Sequence, residues 1–307
     1  MKKKISSIAL IATLSFSLLT ASGGNVTAFA AMNDNEQTAS SNAAASSTSA
    51  SSRFDTYRNS FPNAQLTRSE SGVLEVKFHT DGGKLIFNGH THEEFVDLFH
   101  AIASDPDNRV VILTGSGDAF MDTISPEGFD FFSPQGYDKI YREGKKVLMN
   151  MLDIEVPVIA AVNGPVRLHS EYILLSDIVL ATPKTVFQDK PHFDFGIVPG
   201  DGVNLLWPEV IGSVRGRYFL LTQQELDAKT AQEWGAVNEI VPDEKLLARA
   251  HEIAENITKL PPLTSHYTRV ALTQNLRRIV DEGVGYGLAL EGISAADVAR
   301  SMATNKK

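Results

Sequence analysis

Residues Val158–Ala181 read VIAAVNGPVRLHSEYILLSDIVLA. Val158 to Val162 is an unbroken apolar run of β-branched and small residues, the composition of a buried strand. Asn163-Gly164 turns the chain out of it, and a short segment closing on Ser176-Asp177 leads into a second apolar run, Ile178 to Ala181. A strand, a non-hairpin connection and a second buried strand predict a parallel pair.

Working outward, the same alternation continues. On the N-terminal side, Gly72 to His79 reads as a strand with Leu74, Val76 and Phe78 on one face. Thr91-His92-Glu93-Glu94 has the spacing of a capping box, followed by the helical stripe Phe95, Leu98, Phe99 and Ile102. Val110 to Thr114 is a strand ending in Gly115-Ser116-Gly117, and a helix from about Tyr137 to Leu152 enters the opening strand through Pro157. On the C-terminal side, Thr185 to Gln188 reads as β, and after Gly212 the chain turns helical. Helices are expected within Gln224–Ile240 (stopping near Gly235), over Glu244–Thr258, around Thr264–Asn275 and over Glu282–Met302, with Pro261-Pro262 as a break. Strands alternating with helices predict an α/β fold on a parallel sheet, and the helical tail predicts a second layer or an assembly surface.

The N-terminus has a different character. Three lysines precede the apolar run Ile5–Leu19, and Ala28-Phe29-Ala30 has the small-x-small pattern of a signal-peptidase site, so residues 1–30 read as a cleaved secretory signal peptide. The run is shorter than the roughly 20 residues a span requires. Residues 31–53 are almost all Ala, Ser, Thr, Asn and Gln, a linker with too little apolar surface to order itself. The folded part is expected over 54–263, with a C-terminal helical region over 264–307. Removing the signal peptide's lysines takes the formal charge from −9 to −12. That acidity excludes a nucleic-acid binder, which needs a basic surface, and the product after cleavage is a secreted protein without a membrane anchor. The absence of cysteine excludes disulfides, thiolate catalysis and cysteine-held metal.

Val158–Ala181, together with Ala228–Val241 (AKTAQEWGAVNEIV), resembles the crotonase (enoyl-CoA hydratase/isomerase) superfamily over about 250 residues. The resemblance implies a crotonase-like ββα spiral with a C-terminal helical trimerisation region, and a homotrimer or hexamer. Two departures bear on the chemistry. Where acyl-CoA members carry the glycine pair that binds the thioester oxyanion, this chain has Arg167-Leu168-His169-Ser170, and where the second oxyanion donor lies it has Phe120-Met121-Asp122-Thr123. Three long stretches, EVPVIAAVNGPV (155–166), FQDKPHFDFGIVPGDG (187–202) and GSVRGRYFLLTQQELDAKTAQEWGAVNE (212–239), are instead similar to the β-diketone hydrolases of that superfamily, the 6-oxocamphor hydrolase type. That likeness implies cofactor-independent hydrolysis of a C–C bond in a hydrophobic, cyclic 1,3-diketone. By position it implies His192 and Asp201 as the groups that activate water, His169 as a donor to a carbonyl, Glu291 as a further catalytic carboxylate, and Phe87 and Phe129 as substrate-binding walls. Phe87 stands where that group has a tryptophan, so an indole N–H donor is missing.

The residue types suit the task. Histidine, with an unperturbed pKa of roughly 6.5, accepts a proton near neutrality, and Asp201 can fix its tautomer and stabilise the imidazolium. Taken singly, His192 beside Pro191 and two phenylalanines is also a core histidine, Asp201 between glycines a turn residue, His169 a helix cap and Glu291 a solvated helix face. His79, His90 and His92 lack a third ligand of defined spacing and read as surface residues rather than a metal site. An acyl-CoA hydratase or isomerase, and a non-catalytic secreted small-molecule-binding protein, stand as the alternative functions.

Overall fold

The computed structural model describes residues 52–304. The signal peptide and nearly all of the linker lie outside these residues. Among the described residues no helix is long and apolar enough to cross a membrane.

A six-stranded sheet forms the centre. Its order is Ala64–Arg68, Val73–Phe78, Val110–Gly115, Val158–Val162, Ile178–Ala181 and Glu239–Ile240; the first pair is antiparallel and the rest are parallel. The strands read from sequence are therefore all present, with Val158–Val162 central. Alternation of side chains splits the sheet into two cores. Leu74, Val76, Phe78, Val111 and Leu113 join the larger one, while Val73, Val110, Ile112, Ile159 and Leu180 meet Leu246, Ala250 and Ala254 of the helix Leu246–Thr258. Burial on both faces explains why Val110–Gly115 shows no polar alternation.

A second row of short pairings runs beside the sheet. Ile86–Phe87 pairs with Thr123–Ile124, Val186–Phe187 with Leu226–Asp227, and single bridges join Met121 to Val166 and Val166 to Phe187. Val73–Phe78, Val110–Gly115 and Ile178–Ala181 are thus each followed by a short strand and a helix, and Val158–Val162 by the bridging residue Val166 and a helix. This is the ββα repeat expected from the resemblance.

Two boundaries differ from expectation. The helix bearing Phe95 begins at Gly89, and its cap is Asn88, whose Oδ1 accepts from the His90 and Thr91 amides at 3.0 Å each. The Thr91 capping box is therefore not the start. With the helix begun three residues earlier, His92 lies three residues before Phe95 and seven before Phe99, on the inward stripe. It is 5% exposed, so the surface reading of His92 is wrong, while His90 is exposed as expected. At the other end, the two separate helices are one, Pro262–Thr304, 43 residues long. Residues 276–281 hold neither Pro nor Gly, so nothing stops the hydrogen-bond ladder there.

The Ser176-Asp177 pair has a structural purpose. Asp177 Oδ2 accepts from the Val158 amide at 2.7 Å and from Arg269 Nε at 2.7 Å, tying the central strand to the long helix.

Candidate active site

Five segments converge on one cavity. The short helix Pro191–Phe195 starts on a proline and ends at Gly196, whose φ of 73° only glycine adopts freely; it carries His192. Asp201 sits in the turn before Val203–Ile211, between Gly200 and Gly202 (φ 122°). His169 follows the central strand with φ 48°, a left-handed conformation unusual for a residue with a Cβ, and its neighbour Ser170 accepts from Trp207 Nε1 at 2.9 Å. Glu291 comes from the long helix, and His92 from the helix Gly89–Ala103. A Cβ on Gly287 or Gly200 would collide with the other residue's carbonyl oxygen. That close approach places Glu291, one turn beyond Gly287, beside Asp201.

Asp201 is the hub. Its Oδ2 lies 3.6 Å from His192 Nε2 and 3.6 Å from His169 Nδ1. His192 Nδ1 is held by Asp189 Oδ1 at 2.6 Å, and His169 Nδ1 by Glu171 Oε1 at 2.6 Å. Glu291 Oε2 is 4.0 Å from His192 Nε2. All these residues are at most partly exposed, and His192, Asp189, Glu171 and Glu291 are buried.

Desolvation would drive both histidines neutral, but at His192 the carboxylates of Asp201, Asp189 and Glu291 outweigh it and hold the pKa well above the ordinary value. His169 is raised likewise against burial by Glu171 and Asp201. Burial, and then the charge of Asp201, push Glu171 up to about 7, His169 acting against them. Glu291 is pushed up to about 8 by burial and Asp201, with His192 opposing. His192, His169, Glu171 and Glu291 are thus all shifted upward at one site, with the charge of Asp201 acting on each. Such a cluster can take a proton from water and return it later at low cost.

The cavity has a volume of about 50 Å³. Its polar wall is His92, His169, Asp189, His192, Asp201 and Glu291, and its apolar wall includes Ile124, Phe129, Phe131, Leu168, Phe195 and Leu288. Phe131 and Phe195 stack at 6.2 Å, and Phe195 is 41% exposed, which puts the pair at the mouth. A larger groove of about 920 Å³ lies by Lys77, Thr114, Gly115 and Asn163, but it gathers no histidine–carboxylate cluster of this kind.

The sequence-chosen residues His192, Asp201, His169 and Glu291 therefore meet, and Phe129 is on the wall. Phe87 is fully buried behind His169, with ring centroids 4.2 Å apart, and does not line the cavity. The orienting role expected of Asp201 belongs by geometry to Asp189, since Asp201 faces the opposite nitrogen of His192. Asp189 and Glu171 were missed by sequence reasoning. Their signal was their spacing, three residues before His192 across a proline and two after His169. His92 and its partner Glu143 were missed because they lie on separate helices. Among the described residues His169, Glu171 and Asp201 could together hold a cation, their donor atoms lying within 4.8 Å of one another. A cation there would have to displace the 2.6 Å His169–Glu171 hydrogen bond.

Residues 68–286 match the family described as enoyl-CoA hydratase/isomerase. A solved β-diketone hydrolase from the cyanobacterium Anabaena, bound to (S)-3-oxocyclohexyl acetic acid, is 57% identical with a TM-score of 0.78, covering 80% of this chain and 98% of that one. An enoyl-CoA hydratase/isomerase structure from Mycobacterium paratuberculosis is 28% identical with a TM-score of 0.69, covering 80% and 98%. Carnitinyl-CoA dehydratase of Citrobacter koseri is 28% identical over 227 residues, 70% of this chain and 82% of the relative.

Proposed function

Because this chain belongs to the enoyl-CoA hydratase/isomerase family, we propose that it uses that fold, without coenzyme A, to hydrolyse a C–C bond of a hydrophobic, cyclic 1,3-diketone. The observation that carries the reading is the position of Asp201 Oδ2, 3.6 Å from both His192 Nε2 and His169 Nδ1 at the end of an apolar cavity. The 57% identity to a β-diketone hydrolase supports it.

The chemistry follows from that placement. A water beside Asp201 and His192 gives up a proton to the pair as its oxygen adds to one ketone carbon. The tetrahedral alkoxide is stabilised by protonated His169. Collapse breaks the bond to the central carbon, whose electrons become the enolate of the second ketone. The proton taken from water then returns to that carbon, so diketone plus water gives one keto acid. Asp189 keeps His192 in one orientation throughout, as the carboxylate does in a Ser-His-Asp triad. A cavity of about 50 Å³ holds only a few waters, so a ring-sized substrate enters by displacing Phe131 and Phe195.

The direct test is incubation with a bicyclic 1,3-diketone without coenzyme A, following formation of the keto acid by NMR. No acid from any of a panel of cyclic and linear diketones would sink the reading. The relatives that act on CoA esters favour a second one, and saturable binding of an acyl-CoA together with its hydration would replace the first.

The raised ionisations predict a pH dependence. A neutral His192 is the competent base, so kcat/KM rises with pH as the cluster loses protons. Glu291→Gln removes a carboxylate that holds the imidazolium, which lowers the His192 pKa. The rising limb should therefore move to lower pH in that variant. An unmoved limb, or one displaced upward, contradicts the coupling of Glu291 to His192.

We also place the protein outside the cell, on the lysines, apolar run and Ala28-Phe29-Ala30 of residues 1–30. A mature N-terminus at Ala31 in the culture medium is the check, and retention of residue 1 on the exported protein would refute cleavage. Family membership further supports a homotrimer or hexamer, and exposed apolar side chains such as Tyr218, Leu221, Leu263 and Leu272 are consistent with buried subunit contacts. A monomer by light scattering would exclude it.

A further inference from the structure

Glu291 reaches the cavity from the long helix Pro262–Thr304. Its Oε2 is buried, 4.0 Å from His192 Nε2, and has no hydrogen-bond partner among the described residues. The place of that oxygen is therefore set by the helical turn that carries it. The helix is weak at this point: Gly283, Gly285, Gly287 and Gly292 fall within ten residues, and glycine is a poor helix former.

Three contacts fasten the turn. Gly287 abuts Gly200, as described above. Ser294 Oγ donates to Glu291 O at 2.7 Å and accepts from the Val198 amide at 2.9 Å, which ties the helix to the segment leading into Asp201. The third contact is Tyr137, in the first turn of the helix Pro134–Leu152. Its hydroxyl donates to Leu288 O at 2.8 Å. Its ring lies against Gly292, where a Cβ would stand 2.6 Å from the ring's Cε1. Leu288 is three residues before Glu291 and Gly292 one after it, so a single side chain holds the backbone on both sides of the carboxyl. The phenol also lies close to the acid itself. Burial, and then the charges of Glu291 and Asp201, push its ionisation up, so it stays a hydroxyl.

We propose that Tyr137 is a positioning residue for Glu291, gripping the turn Leu288–Gly292 so that the carboxyl stays beside His192. This rests on the diketone-hydrolase reading for the reaction that Glu291 serves. The coupling of Tyr137 to Glu291 and His192 does not depend on it.

The test is an NMR titration of the His192 ring in the full mature protein, its signal assigned by loss in His192→Ala. Wild type, Tyr137→Phe, Glu291→Gln and the double variant are compared, and the pH profile of kcat/KM for a bicyclic 1,3-diketone is measured alongside. The titratable groups facing Glu291 are His192, Asp201, His169, Asp189 and Tyr137, and those facing His192 are Asp201, Asp189, Glu291 and His169. All but Tyr137 are unchanged in Tyr137→Phe. A carboxylate near His192 favours the imidazolium, so a Glu291 that recedes lowers the His192 midpoint. A recession of about 1 Å should lower it by roughly half a pH unit. Glu291→Gln should lower it further, and Tyr137→Phe should add nothing in that background. The rising limb of kcat/KM should follow the midpoint. A merely structural phenol would lower the melting temperature and leave the midpoint where it is. A midpoint that stays or rises in Tyr137→Phe overturns the proposal, as does an equal shift with and without Glu291. The expected shifts in a protein that hydrolyses no diketone sink the hydrolase and leave Tyr137 in its role. Hydrolysis with an unmoved midpoint does the reverse.

Discussion

Asp201→Asn is expected to leave a folded protein whose hydrolysis of a 1,3-diketone is lower by about 10³-fold. The substitution is nearly isosteric, and Gly200 and Gly202 still shape the turn, so melting should change little. What disappears is the charge that lies 3.6 Å from both imidazoles. Without it the pair cannot draw a proton from water, and an Asn amide directed at His192 Nε2 would compete with that water. General-base assistance contributes roughly 10²- to 10⁴-fold, and loss of a carboxylate from a histidine-based triad costs about 10⁴. His192→Ala should show a loss of similar size. Because the two residues act on one proton, the double variant should be little worse than either single one. A kcat/KM within tenfold of wild type in Asp201→Asn, with the protein folded, would exclude Asp201 from the chemistry. Additive losses would mean that the two work in separate steps.

The second large effect is on stability. Arg269 is 2% exposed, and its guanidinium serves three acceptors from separate parts of the fold: Asp177 Oδ2 at 2.7 Å, Leu175 O at 3.4 Å, and Ile154 O. Arg269→Ala strands two buried carbonyls and leaves Asp177 holding the Val158 amide without its counter-charge. Asp177 is partly exposed, so the cost comes mainly from the two stranded carbonyls and totals about 3–5 kcal/mol with the weakened ion pair. For a domain of this size that is a fall in Tm of roughly 6–20 °C. Arg269→Lys should recover only part of it, since an ammonium cannot reach three acceptors in a plane. A melting temperature within about 2 °C of wild type would mean that the long helix is fastened elsewhere. These two variants separate the uses of the same framework: one disables the chemistry of a stable protein, the other loosens the helix that carries Glu291.

Much of this was legible in the chain. Four of the sheet's six strands announce themselves because burial imposes either alternation or an unbroken apolar run, whereas the edge strands Ala64–Arg68 and Glu239–Ile240 carry no such signal. The helix start at Asn88 was misread because two polar residues near each other both satisfy cap chemistry, and only the backbone decides which one accepts from the free amides. That three-residue difference turned His92 from a surface residue into a cavity residue. The continuity of Pro262–Thr304 was hidden because its two ends were read as separate helices, although 276–281 contains nothing that prevents a helix.

The sequence by itself determined the α/β framework and most strands of its sheet, because burial leaves a local pattern, while the resemblance to a family, not that pattern, singled out His192, Asp201, His169 and Glu291. Only the tertiary structure decided which carboxylate serves which nitrogen. Asp189, not Asp201, holds His192 Nδ1; Glu171 holds His169; Glu143, on a different helix, holds His92. Hydrogen-bond partners are fixed by distances of about 3 Å, and those distances come from the crossing of the long helix with the Gly200 turn and from the packing of one helix on another. Neither leaves a trace in the spacing of residues along the chain.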